Sequence, residues 1–118
     1  MQLNEFYQSI GSDASLVIRR MGLTEKHLKK YLKKFQENQE YAKLTKAVGE
    51  NDFYNIEWAA HTLKGVTSNL GLDILYSDFQ KIVDSVRAGR NDEIPSLFAA
   101  ASADYERVME LLAEVPLV

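Results

Sequence analysis

A histidine on a helix acquires chemistry through its neighbours. The segment Ala60-His61-Thr62-Leu63-Lys64-Gly65-Val66-Thr67-Ser68-Asn69-Leu70-Gly71 surrounds its histidine with an unusual set. At about 100° per residue, Leu63 projects about 160° from His61, Leu70 about 180° and Ile56 about 140°, so a helix that buries these apolar residues turns the imidazole outward. On the same wheel Lys64 lies about 60° from His61, Gly65 about 40° and Ser68 about 20°. One outward strip thus combines an imidazole, an ammonium, a position with no side chain and a hydroxyl. Neutral imidazole is a nucleophile available near pH 7, able to attack phosphorus. Once it carries a phosphoryl group, an ammonium one turn away contributes about 1 kcal/mol per charge pair on an exposed helix surface. Glycine inside a helix costs about 1 kcal/mol against alanine and gains no packing on a solvent-facing strip. Its use there is access, leaving room for another protein's active site to reach the ring.

On the N-terminal side of His61, Tyr54 falls about 20° from it and Trp58 about 60°. Two readings stand: the pair forms the apolar part of a docking surface, or the helix ending at Gly22 or the stretch from Thr24 to Gly49 folds over this edge and buries Trp58. His27 sits among lysines without a comparable pattern and reads as incidental. Tyr31, Phe35, Phe79 and Tyr105 recur at helical spacing and read as core.

The elements that must position this strip are helical, since apolar residues repeat at steps of three and four and nowhere alternate at period two for long. Leu3, Phe6, Tyr7 and Ile10 open the chain; Ser12 and Asp13 can cap a helix through Leu16, Val17 and Met21 that stops at Gly22. Thr24 starts a long stretch carrying Leu28, Leu32, Phe35, Leu44 and Val48, whose polar middle, Glu37 to Glu40, leaves a kink or a break open. Asp52 caps the His61 helix, which runs to Gly71; Leu75, Phe79, Ile82 and Val86 form the seam of the next, ending near Gly89. Asn91 and Asp92 open the last helix, with Pro95 in its first turn. Short connections imply antiparallel neighbours. The expectation is one all-α domain over residues 1–118, an antiparallel up-down-up-down four-helix bundle with an additional short N-terminal helical segment. The bundle core covers about 24–115 and the N-terminal cap about 1–22.

Composition narrows the function classes. With 118 residues, 46% apolar and 26% charged, the chain suits one globular domain. Having no cysteine excludes disulfides, thiolate metal sites and a cysteine nucleophile. No Glu-x-x-His pairs, Gly-rich phosphate loop or nucleophile elbow points to a di-iron site, an ATP-using kinase or serine hydrolase chemistry. No basic leader or long apolar run is present, so the expected address is the cytoplasm, with no membrane partner. A net charge of -3 argues against nucleic acid as the partner. The local exception is Lys26, Lys29, Lys30, Lys33 and Lys34, a stripe that either meets an acidic partner or keeps a helix face wet.

With histidine, lysine three on, glycine four on and glycine ten on, AHTLKGVTSNLG resembles the signature of histidine-containing phosphotransfer (HPt) domains. The resemblance extends over nearly the whole helical stretch. It implies a phosphorelay intermediate that accepts a phosphoryl group on His61 from a receiver-domain aspartate and passes it to another receiver. It implies no ATP-dependent activity and no metal on this chain, any magnesium belonging to the receiver. Lys64 would steady the phosphate, Gly65 give access and Ser68 act as a polar neighbour. The partners implied are response-regulator receiver domains, including that of a hybrid histidine kinase, met by a monomer. The pattern departs from the family on the following helix, where a ring-contacting Gln or Glu often stands twenty-two residues after the histidine; here that position is Val83, with Gln80 one turn earlier. The alternative is a helical interaction module that binds a receiver or another signalling protein without chemistry.

Overall fold

In the computed structural model, which describes residues 1–118, the chain forms seven α-helices and one 3-10 turn, with no strand. They are α1 (Leu3–Ser9), α2 (Ala14–Met21), α3 (Glu25–Gln36), α4 (Glu40–Gly49), α5 (Phe53–Asn69), α6 (Asp73–Arg87), the turn Asn91–Glu93, and α7 (Ile94–Leu112). Side-chain caps begin three of them. Asp13 accepts from the amides of Ser15 and Leu16, Thr24 from His27 and Asp52 from Asn55, each offsetting amides that a helix start leaves without an internal partner. Pro95 lies in the first turn of α7, where its missing N–H costs nothing.

The long stretch after Thr24 is broken. Asn38 sits in the gap and serves both ends: its Nδ2 donates to Phe35 O at 2.7 Å and to Tyr105 Oη at 2.9 Å, and its Oδ1 accepts from the Tyr41 amide at 3.0 Å. Tyr41 then stacks on Tyr105 with ring centroids 3.7 Å apart. A polar stretch with no apolar residue to bury gains more from these bonds than from continuing the helix.

α5 packs between α4 and α6, α6 packs on α7, and α7 returns to α4. α5 and α6 run antiparallel, joined through Leu70–Leu72 at one end, while Arg87 Nε pairs with Glu57 Oε2 at 3.2 Å at the other. One continuous core holds Phe6, Leu28, Leu63, Phe79 and Ile82 among its buried members. The N-terminal segment is two short helices clamped over the C-terminal end of α5. Tyr7 Oη donates to Leu70 O at 2.6 Å, and burial pushes this hydroxyl far above its usual range, so it stays protonated and bonded. Ser12 is not the cap of α2; its hydroxyl donates to Gly71 O at 3.1 Å. Gly71 has φ 67°, and a Cβ there would fall on the Val17 side chain, so the glycine ten residues after His61 both ends α5 and admits α2. Tyr31, expected in the core, is 41% exposed, its ring lying under the Lys34 ammonium at 5.6 Å.

Between α6 and α7 lies a buried acid. Asp78 is only 8% exposed and its Oδ2 has no partner. Burial, then the neighbouring Asp104 carboxyl, push the Asp78 carboxyl up from 3.8 to about 7, with Lys81 opposing. Because the folded value is the higher one, the folded chain holds a proton that the unfolded chain has released between these two values. Stability therefore falls as pH rises through that window and flattens above it, a change on the order of 2 to 4 kcal/mol. Asp78→Asn, whose amide is uncharged at every pH, is expected to match the parent near pH 4 and to melt several degrees higher at pH 8. Equal melting temperatures at pH 8, measured by circular dichroism, would exclude this role.

Candidate functional site

α5 presents the strip read from its helical wheel. Ile56, Ala59, Ala60, Leu63 and Thr67 are buried, and His61 and Gly65 lie on the exposed side. Thr67 enters the core because its hydroxyl donates to Leu63 O at 2.7 Å, which satisfies it within its own helix. Thr62 does the same on the surface, donating to Trp58 O at 3.0 Å.

Trp58 is 57% exposed and Tyr54 71%, so neither α2 nor the pair α3 and α4 buries this edge. Their rings meet edge to face at 6.4 Å, and the Trp58 ring meets the His61 ring at 6.4 Å and 86°. An exposed aromatic ladder therefore leads to the imidazole, with the Trp58 ring set edge to face beside it. No side chain of α6 hydrogen-bonds the ring. Counting inward from the Glu57–Arg87 pair brings Val83 level with His61, but Val83 is fully buried. Gln80, one turn earlier, donates to Asp84 Oδ1 at 2.7 Å and accepts from Tyr76 Oη at 3.5 Å, and it makes no bond to the ring.

Lys64 is half-buried, and its ammonium enters none of the ion pairs of the fold. It is an uncompensated cation one turn from His61, suited to a dianionic group placed on that ring. At Gly65 an added Cβ would meet nothing within 4 Å, so no packing requirement calls for glycine there. Ser68 is half-buried at the end of the strip. Its carbonyl accepts from Arg20 Nη2 at 2.9 Å, which sets a guanidinium beside the C-terminal end of α5. Sequence reasoning missed Arg20, because a contact across 48 positions leaves no local signal. His27 forms part of a helix cap, its Nδ1 lying 2.9 Å from Thr24 Oγ1.

The strip is a ridge between two open grooves. One, of about 490 Å³, runs between α4 and α5 past Asn55, Trp58 and Thr62. The other, of about 730 Å³, is lined by Arg20, Met21, Tyr31, Lys34, Val66 and Ser68. His61 lines neither, so its surroundings suit approach by another macromolecule better than enclosure of a small substrate. No three His, Asp or Glu side chains converge in a way that would hold a metal ion, and no helix is long and apolar enough to cross a membrane. No protein-family model, curated protein or solved structure matches the chain.

Proposed function

We propose that this chain is a histidine-containing phosphotransfer domain, an antiparallel up-down-up-down four-helix bundle over about residues 24–115, its first arm broken into α3 and α4, with α1 and α2 as an N-terminal cap, and that His61 carries the phosphoryl group. The observation that carries the reading is the exposed imidazole flanked by the unpaired Lys64 and the open space over Gly65. In the transfer a ring nitrogen of His61 attacks the phosphorus of an aspartyl phosphate on a receiver domain. The N–P bond forms as the acyl O–P bond breaks, the receiver's carboxylate leaves with the electron pair, and the ring proton on the other nitrogen passes to water. Reversal onto a second receiver's aspartate completes the relay. Lys64 offsets the charge gained by the ring, and Gly65 lets the receiver's aspartate come within bonding distance.

The experiment is incubation with a phosphorylated receiver followed by detection of phosphate on the chain. Acid-labile, alkali-stable label is the expected result; complex formation without label transfer would leave only the interaction module.

Trp58 and Tyr54 are the apolar anchors of this docking surface. Trp58 emission from the free protein is expected to be red-shifted and quenched by iodide, then protected when a receiver binds. Trp58→Ala should weaken receiver binding by about 1 to 2 kcal/mol and leave the melting temperature nearly unchanged. Emission from the free protein that iodide cannot reach would defeat this assignment.

A further inference from the structure

α3 carries five lysines against a single glutamate in a chain whose net charge is -3, so the remainder of the molecule is markedly acidic. Its apolar residues Leu28, Leu32 and Phe35 are buried, while Lys26, Lys30 and Lys33 stand exposed on the opposite side. Only Lys29 is paired, with Glu25 at 3.8 Å. Beside these lysines runs an open groove of about 460 Å³, lined also by Glu25, the half-buried Leu117 and Val118. The groove therefore brings several ammonium groups, of which Glu25 offsets only that of Lys29, together with an aliphatic side chain.

We propose that this groove docks a short acidic peptide segment of a partner protein, its carboxylates on Lys26, Lys30 and Lys33 and an apolar side chain against Leu117. Three observations select this occupant. An interfacial membrane helix must insert its apolar face, and that of α3 is already committed to the core. A nucleic-acid duplex carries charge along its whole length, and an acidic body with one basic helix face repels most of it while holding few phosphates. A finite acidic segment matches the extent of one helix face, and its carboxylates complement the sign of the charges displayed there. The surface is separate from the His61 strip and stands whether or not His61 carries phosphate.

The test is fluorescence anisotropy on the full chain with a labelled peptide built from Glu and Leu, beside its Gln-for-Glu counterpart, a labelled DNA duplex and phosphatidylserine vesicles. Saturable binding of the Glu peptide that weakens as salt is raised is expected, with the Gln counterpart at least about tenfold weaker. Lys26→Glu/Lys30→Glu/Lys33→Glu should lower affinity by about tenfold or more, and the triple Gln variant, which preserves helix propensity, by several-fold. Lys43→Glu/Lys46→Glu on α4, where Glu40 and Glu50 already offset the charges, should change little, and so should His61→Gln. Binding of the Glu peptide that survives both triple variants would overturn the proposal. Tighter binding of the duplex or the vesicles through the same lysines would overturn it as well. So would sedimentation showing that the lysines instead hold a second copy of the chain through its exposed Glu106, Glu110 and Glu114.

Discussion

Exchange of His61 for Gln is expected to abolish transfer of phosphate from a phosphorylated receiver to this chain. The amide nitrogen of Gln shares its lone pair with the carbonyl and does not attack phosphorus, while its length and polarity approach those of the imidazole. The fold gives no reason for collateral damage. His61 is exposed, makes no hydrogen bond within the protein and has the Trp58 ring beside it at 6.4 Å, so the variant should stay within about 0.5 kcal/mol of the parent in stability. His27→Gln is the matched control. It removes the ring contact to Thr24 Oγ1 but leaves the cap that Thr24 gives the His27 amide, and its labelling should equal the parent's. Full labelling of His61→Gln would remove the assignment. Loss of labelling in His27→Gln with an unchanged circular dichroism spectrum would move it to the cap of α3.

The site was legible because it is local: direction on one helix depends on the period of that helix and on which residues it buries, and both are written in the segment from Ile56 to Gly71. Helix starts at Asp13, Thr24 and Asp52, and the ends at Gly22 and Gly71, were legible for the same reason, each being a bond or dihedral within a few residues. What stayed hidden depends on distant partners. Whether Glu37 to Glu40 bends or breaks is decided by Asn38 reaching Tyr105, 67 positions away. Arg20 joins the strip only because α2 is drawn over α5 by Tyr7, Ser12 and the space above Gly71. The Asp78 and Asp104 pair needs α6 against α7 before either carboxyl affects the other. Tyr31 shows the limit of periodicity: helical spacing marks a face, and the neighbours of that face decide whether an aromatic residue there is covered.

Gly65 allows access to be separated from folding. A Cβ there meets no neighbouring atom, and glycine is the poorer helix former by about 1 kcal/mol, so Gly65→Gln should melt at the same temperature as the parent or slightly above it. The same side chain lies on the His61 side of α5, about 40° around the axis and one turn along, over the space that a receiver's aspartyl phosphate must enter. Displacement of the reacting groups by as little as 1 Å can cost about 100-fold, so transfer from a receiver is expected to slow by about that factor or more. Gly65→Ala, whose methyl reaches less far, should fall between. A small phosphoryl donor such as phosphoramidate supplies the contrast, since it can approach the ring from the Trp58 side and should label both variants at nearly the parent rate. Stopped-flow measurement of receiver transfer beside phosphoramidate labelling resolves the cases. Equal slowing with both donors would mean that the substitution disturbs the imidazole itself. Unimpaired transfer from the receiver would show that the open space over Gly65 is not the path by which phosphate arrives.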